Sequence, residues 1–247
     1  MRRAVAVASL ALFVGACTGG TSPETASAWH SPDAHTWDAL KGELRARRAE
    51  RPTHPWAAEI RVALHEPRTG RDVTGRGAIA VAPGRAMRMI LVGAAGATML
   101  DAWVERDRWR VAVPATGLVR RGGPDDPHDL PVGFLRWWLL SPLGGALVAA
   151  EQTAEGPRWL LRDGTAVVDL RAVRCDDGVS GLAASRSVEG RTERVAECGA
   201  APEPHPGDRV EYEDAVTGLR VSIVLESAAR TPSDDAFRDP DLPEQGS

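Results

Sequence analysis

The chain has 247 residues, 43% of them hydrophobic and 26% charged, with a formal net charge of −4. That is ordinary globular material for one domain plus tails. The balance excludes an intrinsically disordered chain and lacks the basic footprint that nucleic-acid binding requires.

Residues 1–16 open with Arg2 and Arg3 and continue as a short apolar run from Ala4 to Val14. This is the pattern of a secretory signal, too short for a span of roughly 20 apolar residues. It ends in Val14-Gly15-Ala16-Cys17, which resembles the bacterial lipobox. That resemblance implies removal of 1–16 and acylation of Cys17, palmitate being a typical chain. Several acyl chains anchor a protein stably, at about 0.8 kcal/mol per buried methylene. Thr18, in place of aspartate, directs the expectation to the periplasmic side of the outer membrane. Residues 17–36 are rich in small and polar residues and read as a lipidated tether.

A helix is expected from Trp37 to Arg51, with Trp37, Leu40 and Leu44 on one face, Thr36 as N-cap and Pro52 as the stop. Its arginines 45, 47, 48 and 51 read as a solvated face or as a patch for anionic lipid.

From residue 56 the period changes to two. Five strands are expected around Ile60–Leu64, Val73–Val81, Met87–Leu91, Met99–Val104 and Trp109–Val113, joined by short turns such as Pro83-Gly84. Pro131 to Leu143 then reads as a short central helix, apolar nearly all round and bounded by prolines. Neighbouring residues on a helix point about 100° apart, so Trp137 and Trp138 should face different surroundings. Strands resume at 158–162, 165–173, 179–188, 191–198, 210–214 and 220–227, with hairpin signals at Asp163-Gly164 and Glu189-Gly190. Residues 229–247 read as a flexible C-terminal tail. The expected fold is mainly β, about 10–11 antiparallel strands over residues 37–228 arranged as a sandwich, a barrel or a strongly curved sheet.

Cys175 and Cys198 are an even pair in an exported protein and are expected to form a disulfide. Two free thiols or two metal ligands are the alternatives; neither cysteine belongs to a C-x-x-C, and no histidine lies between them.

The order of elements resembles the LolA/LolB-like lipoprotein-carrier family. The stretch Gly84-Arg85-Ala86-Met87-Arg88-Met89-Ile90-Leu91-Val92-Gly93-Ala94-Ala95-Gly96-Ala97-Thr98-Met99-Leu100 looks like that family's arginine-containing strand, small-residue turn and next strand. Val210 to Asp214 and Leu219 to Ile223 look like its closing hairpin. The resemblance implies a half-barrel whose concave face, covered by the helices, encloses an apolar cavity for acyl chains of lipid or lipoprotein. Cavity candidates are Ile60, Val62, Leu64, Ile79, Val81, Met87, Met89, Leu91, Trp103, Trp109 and Val111, with Phe134, Trp137, Trp138 and Leu139 as the cover. The same residues would equally pack a closed core, which leaves an envelope assembly or interaction protein as the alternative. Ala95 stands where the family's membrane-anchored receptor carries an exposed leucine, a departure that separates fold from insertion activity.

No catalytic constellation stands in a suitable context. His65-Glu66-Pro67 lacks a second histidine and cannot be helical. Asp125, Asp126, His128 and Asp129 read as a polar loop. No cofactor, metal or enzymatic activity is expected.

Overall fold

The computed structural model describes residues 29–93, 96–123, 132–175, 178–199 and 203–242. Cys17, the signal, most of the tether, Ala95, the 125–129 loop and the last five residues lie outside these.

Helix α1 spans Ala34–Ala49. Its N-cap is Asp33, whose carboxylate accepts from the Thr36 backbone N–H at 2.9 Å and the Thr36 hydroxyl at 2.8 Å. Thr36 is therefore the capped residue rather than the cap, because aspartate, standing three residues earlier, supplies the better acceptor. Leu40 and Leu44 are buried, and the chain leaves the helix at Glu50, just before Pro52. The folded unit reaches back beyond residue 37. Arg158 lies 4.2 Å over the Trp29 ring, and Glu151 accepts from the His30 backbone N–H.

Thirteen strands follow among the described residues: β1 Trp56–Glu66, β2 Arg71–Ala82, β3 Ala86–Val92, β4 Thr98–Glu105, β5 Trp109–Val113, β6 Leu118–Gly122, β7 Ala146–Thr153, β8 Gly156–Asp163, β9 Ala166–Arg174, β10 Ser180–Val188, β11 Arg191–Cys198, β12 Arg209–Asp214 and β13 Arg220–Leu225. They make one open antiparallel sheet in the order β6-β5-β4-β3-β2-β1-β13-β12-β11-β10-β9-β8-β7. Two meanders are joined through the β1–β13 ladder, with Val62 opposite Ile223. Both strands beyond the expected eleven, β6 and β7, are the sheet's edges. β6 carries Arg120 and Arg121, and the β7–β8 register shifts between Leu147 and Ala149, leaving Val148 exposed. Charge and bulging are common guards of an exposed edge, and both erase the period-two pattern.

One face of the sheet carries the main core. Ile60, Val62, Ile79, Val81, Met87, Met89, Ala102, Val104, Trp159, Leu170 and Tyr212 all belong to it, together with Leu40 and Leu44 of α1. Between the two edge strands, Val132–Phe134 makes one α-helical turn, α2, and Leu135–Leu140 a π-helical turn. The expected apolar helix is thus a short composite, and Phe134, Leu135, Trp137, Trp138 and Leu140 sit buried in the same core. The turn is pinned from both sides. The Gly84 N–H donates to the Leu140 carbonyl at 2.7 Å, and Arg48 donates to the Leu143 and Gly145 carbonyls at 3.0 and 2.7 Å. Leu143 pays for this path with φ of 58°, a left-handed conformation costly for a leucine.

The opposite face has a separate, smaller cluster of Ala57, Ala80, Ala82, Ala86 and Phe237. Residues 230–242, expected to be part of a flexible tail, run over it. Arg230 and Ala57 exchange backbone hydrogen bonds at 2.7 and 2.9 Å, and Phe237 is buried. Trp103 belongs here too. Antiparallel partners share a face, and Trp103 is opposite Arg88 while the core residue Met87 is opposite Val104. Its indole N–H donates to the Phe237 carbonyl at 3.0 Å. The cavity assignment of Trp103 is corrected accordingly: Leu100, Ala102 and Val104, not the bulkier Trp103, form the core side of β4.

Cys175 and Cys198 form the expected disulfide, with their Cα atoms 6.0 Å apart. It ties the end of β9 to the end of β11 across β10. Gly181 of β10 passes beneath: a Cβ there would lie 2.7 Å from the Cys175 sulfur and 2.3 Å from the Glu197 carbonyl, so glycine is required.

Candidate functional site

At one end of the half-open sheet the core opens into a cleft of about 500 Å³. That lies within the usual range for small-molecule sites, about 300–1,000 Å³. Its apolar walls come from Trp56 and Ile79 at the start of β1 and end of β2, Trp138, Leu139 and Leu140 of the π-helical turn, and Leu182, Val210, Ile223 and Leu225 of β10, β12 and β13. The last turn of α1 brings Arg47, Arg48 and Arg51 to one side of the mouth, and the β11–β12 end brings Glu197, Glu203 and Asp208 to the other.

The two sides meet at one contact. Arg51 Nη1 donates to Glu197 Oε1 at 2.5 Å, and the Arg51 guanidinium lies 5.4 Å over the Trp138 ring. Arg47 reaches Ser180 Oγ at 3.3 Å. Arg48 is committed to the carbonyls of the turn, and its burial draws the guanidinium below its ordinary value. Arginine titrates so far above neutrality that Arg48 stays charged.

Two buried indoles answer their N–H groups internally, Trp159 to the Leu40 carbonyl at 2.9 Å and Trp103 to Phe237. Trp109, Trp137 and Trp138 find no acceptor for theirs among the described residues. A buried donor of this kind is usually met by an ordered water or tolerated as a local cost. Trp138 lies in the cleft wall.

Trp137 and Trp138 pack edge to face at 5.5 Å and serve opposite ends of the core. Trp138 lines the cleft. Trp137 lies 5.8 Å beneath Arg186, part of a buried polar network at the other end. There Glu193 accepts from Arg186 at 3.2 Å and from the Tyr212 hydroxyl at 3.1 Å, while Phe134 stacks on Tyr212 at 4.8 Å. Burial, then the charges of Glu193 and Asp214, push the Tyr212 phenol well above its ordinary range. Tyr212 therefore remains a neutral donor. Gly133 lets the backbone approach Glu193, since a Cβ would lie 3.2 Å from its carboxylate. This network fixes where the π-helical turn begins.

Of the residues expected to line a cavity, Ile79, Trp138 and Leu139 do so. Ile60, Val62, Val81, Met87, Met89, Trp109, Val111, Phe134 and Trp137 are packed in the core, and Leu64 and Leu91 border it half-buried. The second half of the sheet supplies walls that the sequence reading passed over, Leu182, Val210, Ile223 and Leu225. Their period-two alternation was available as a signal. A second depression, about 770 Å³, lies along the sheet's other face, over Ala63, Ala183, Ala196 and Ser222 with arginines and glutamates around them. Among the described residues no group of three His, Cys, Asp or Glu side chains is placed to hold a metal ion.

No family profile matches the sequence, and no curated protein matches it. Solved structures do. A LolA superfamily protein from Nitrosomonas europaea superposes with a TM-score of 0.53 at 13% identity, covering 82% of this chain and 99% of its own. A DUF1329 family protein from Desulfovibrio piger gives 0.49 at 14% identity, covering 81% and 96%. A domain from Vibrio parahaemolyticus named for outer membrane lipoprotein sorting gives 0.42 at 10% identity, covering 81% and 94%. The first of these shows that the fold is LolA-like: one large antiparallel sheet, not closed, with few helices.

Proposed function

We propose that this chain is a non-enzymatic, lipid-anchored envelope protein that holds an acyl chain of a lipid or lipoprotein in the cleft beneath the π-helical turn. The observation that carries the reading is the cleft itself, about 500 Å³ with apolar walls on a LolA-like sheet. Binding would exchange water against the half-buried walls, Trp56 and Leu139 above all, for hydrocarbon, worth about 25 cal/mol per Å² of apolar surface covered. The anchor would be acylated Cys17, with residues 1–16 removed and the protein on the periplasmic side of the outer membrane. The tether would be the part of 17–36 that precedes Trp29 and His30, which pack against Arg158 and Glu151.

The test is mass spectrometry of lipids extracted from the purified chain lacking residues 1–17. A stoichiometric acyl lipid is expected. Its absence, together with failure to load added lipid, would leave the second reading, an envelope assembly or interaction protein with a filled core. That reading is favoured by one specific observation: Phe134, Trp138 and Trp159 are fully buried in the sheet's concave side, so little of the half-barrel other than the cleft end is open.

A further inference from the structure

The outer face of β1–β5 carries a second covered surface, away from the cleft. Its floor is made of small side chains: Ala57, Ala80, Ala82 and Ala86 pack against Phe237. Around it stand arginines on neighbouring strands and turns. Arg85 lies 5.1 Å over the Phe237 ring, and Arg108 lies 5.0 Å over Trp103. Arg108 pairs with Asp239 at 3.0 Å, and Arg110 and Arg121 both pair with Asp241. The Trp103 indole reads the main chain at the Phe237 carbonyl. The pattern accepted is therefore an aromatic residue followed at the second and fourth positions by carboxylates.

The resident segment is held by one buried aromatic side chain, the Trp103 hydrogen bond and ion pairs, and at its outer edge Arg108 and Arg121 remain more than half exposed while paired to it. Exposed ion pairs contribute little and are screened by salt. Such segments open locally far more readily than the sheet beneath them.

We propose that this face is a peptide-docking site for an acidic partner segment with an aromatic anchor, and that residues 233–242 occupy it as an intramolecular competitor. A partner carrying the same Phe-x-Asp-x-Asp pattern would replace them contact for contact. Backbone hydrogen bonding at Trp103 and charge-assisted pairing at the arginines give the surface direction and register.

The test uses the full chain and a fluorescent synthetic peptide with the sequence of residues 231–242. The site is emptied in two ways, by Phe237→Ala and by Asp241→Arg, the second a change at an exposed position that leaves the fold intact. The peptide should bind both emptied chains at least tenfold more tightly than the parent. Binding should fall about tenfold when the peptide's own phenylalanine is replaced by alanine, and again when Arg121→Glu is added to the Phe237→Ala chain. It should weaken as salt rises. Absence of binding to both emptied chains would overturn the proposal and leave 233–242 as a structural strap. Equal binding to parent and emptied chains would place the peptide elsewhere and overturn it too.

Discussion

Arg51 reaches from the end of α1 to Glu197 at the end of β11, and its guanidinium crosses the face of Trp138 on the way. One side chain thus joins the helix, the π-helical turn and the far half of the sheet at the mouth of the cleft. The pair is mostly buried, with side chains 18% and 26% exposed. Arg51→Ala, Glu197→Ala and the double variant should show a coupling of about 1 kcal/mol in urea denaturation, larger than for an exposed pair. Coupling indistinguishable from zero would mean that the contact does not hold the mouth.

Trp103 and Trp138 are both fully buried, yet on opposite faces of the sheet. Truncating Trp103 to alanine should cost about 3–5 kcal/mol of stability and leave acyl binding in the cleft unchanged. Trp103→Phe should cost less than the alanine change, about 1–3 kcal/mol for the Phe237 carbonyl left unpaired together with the volume lost from a buried site. Thermal melts and probe binding on the same samples separate the two effects.

The misplacement of Trp103 shows what the sequence withholds. The alternation along β4 was plain, but which of its two faces is core depends on the register with β3, and bulk pointed the wrong way. The outer face buries Trp103 only because residues 230–242 return to cover it, a contact separated by more than a hundred residues from its partner. β1 to β5 and β8 to β13 were legible because period two and turn residues are local signals, and the disulfide because Cys175 and Cys198 are the even pair left after Cys17; that the sheet is open was implied by the family resemblance alone. β6 and β7 were not, since edges are guarded by charge and bulging. Of the cleft walls, Ile79, Trp138 and Leu139 were among the residues singled out in the sequence, whereas Leu182, Val210, Ile223 and Leu225 join them through the β1–β13 ladder, a pairing no short-range pattern encodes.

Reducing the Cys175–Cys198 disulfide should lower stability by roughly 3 kcal/mol in the chain-entropy estimate. Thiol titration of the denatured, unreduced chain lacking residues 1–17 should find no free thiol. Two reactive thiols would contradict the bond.

Asp214 accepts from the backbone N–H groups of Val216 and Thr217 and from Arg191. Burial alone would raise its pKa, but these donors outweigh burial and hold it below the ordinary carboxylate value; Glu151, between His30 and Arg158, is lowered likewise. A lowered folded pKa contributes stability that is fully present above the unfolded value near 4 and is lost as pH falls through the folded value. The melting temperature should therefore be flat in carboxylate terms from pH 7 to about 5 and fall below about pH 4. Asp214→Asn should flatten part of that acid limb. An unchanged limb would assign it to other groups.

The anchor is tested by location. Cys17→Ala should move the chain from the washed membrane fraction to the soluble periplasmic fraction, and retention on membranes would contradict acylation at Cys17.

The central claim is that the cleft holds an acyl chain, and the most direct measurement is titration of a fluorescent long-chain fatty acid into the chain lacking residues 1–17, alongside Leu182→Trp and Ile223→Trp. These substitutions fill the cleft from its sheet side while keeping its surface apolar. The account predicts saturable one-to-one binding in the parent and at least a tenfold loss in either variant, with each variant still melting cooperatively although overpacking at these buried positions costs about 1–3 kcal/mol. No saturable binding in the parent, or binding that survives both substitutions, would contradict it.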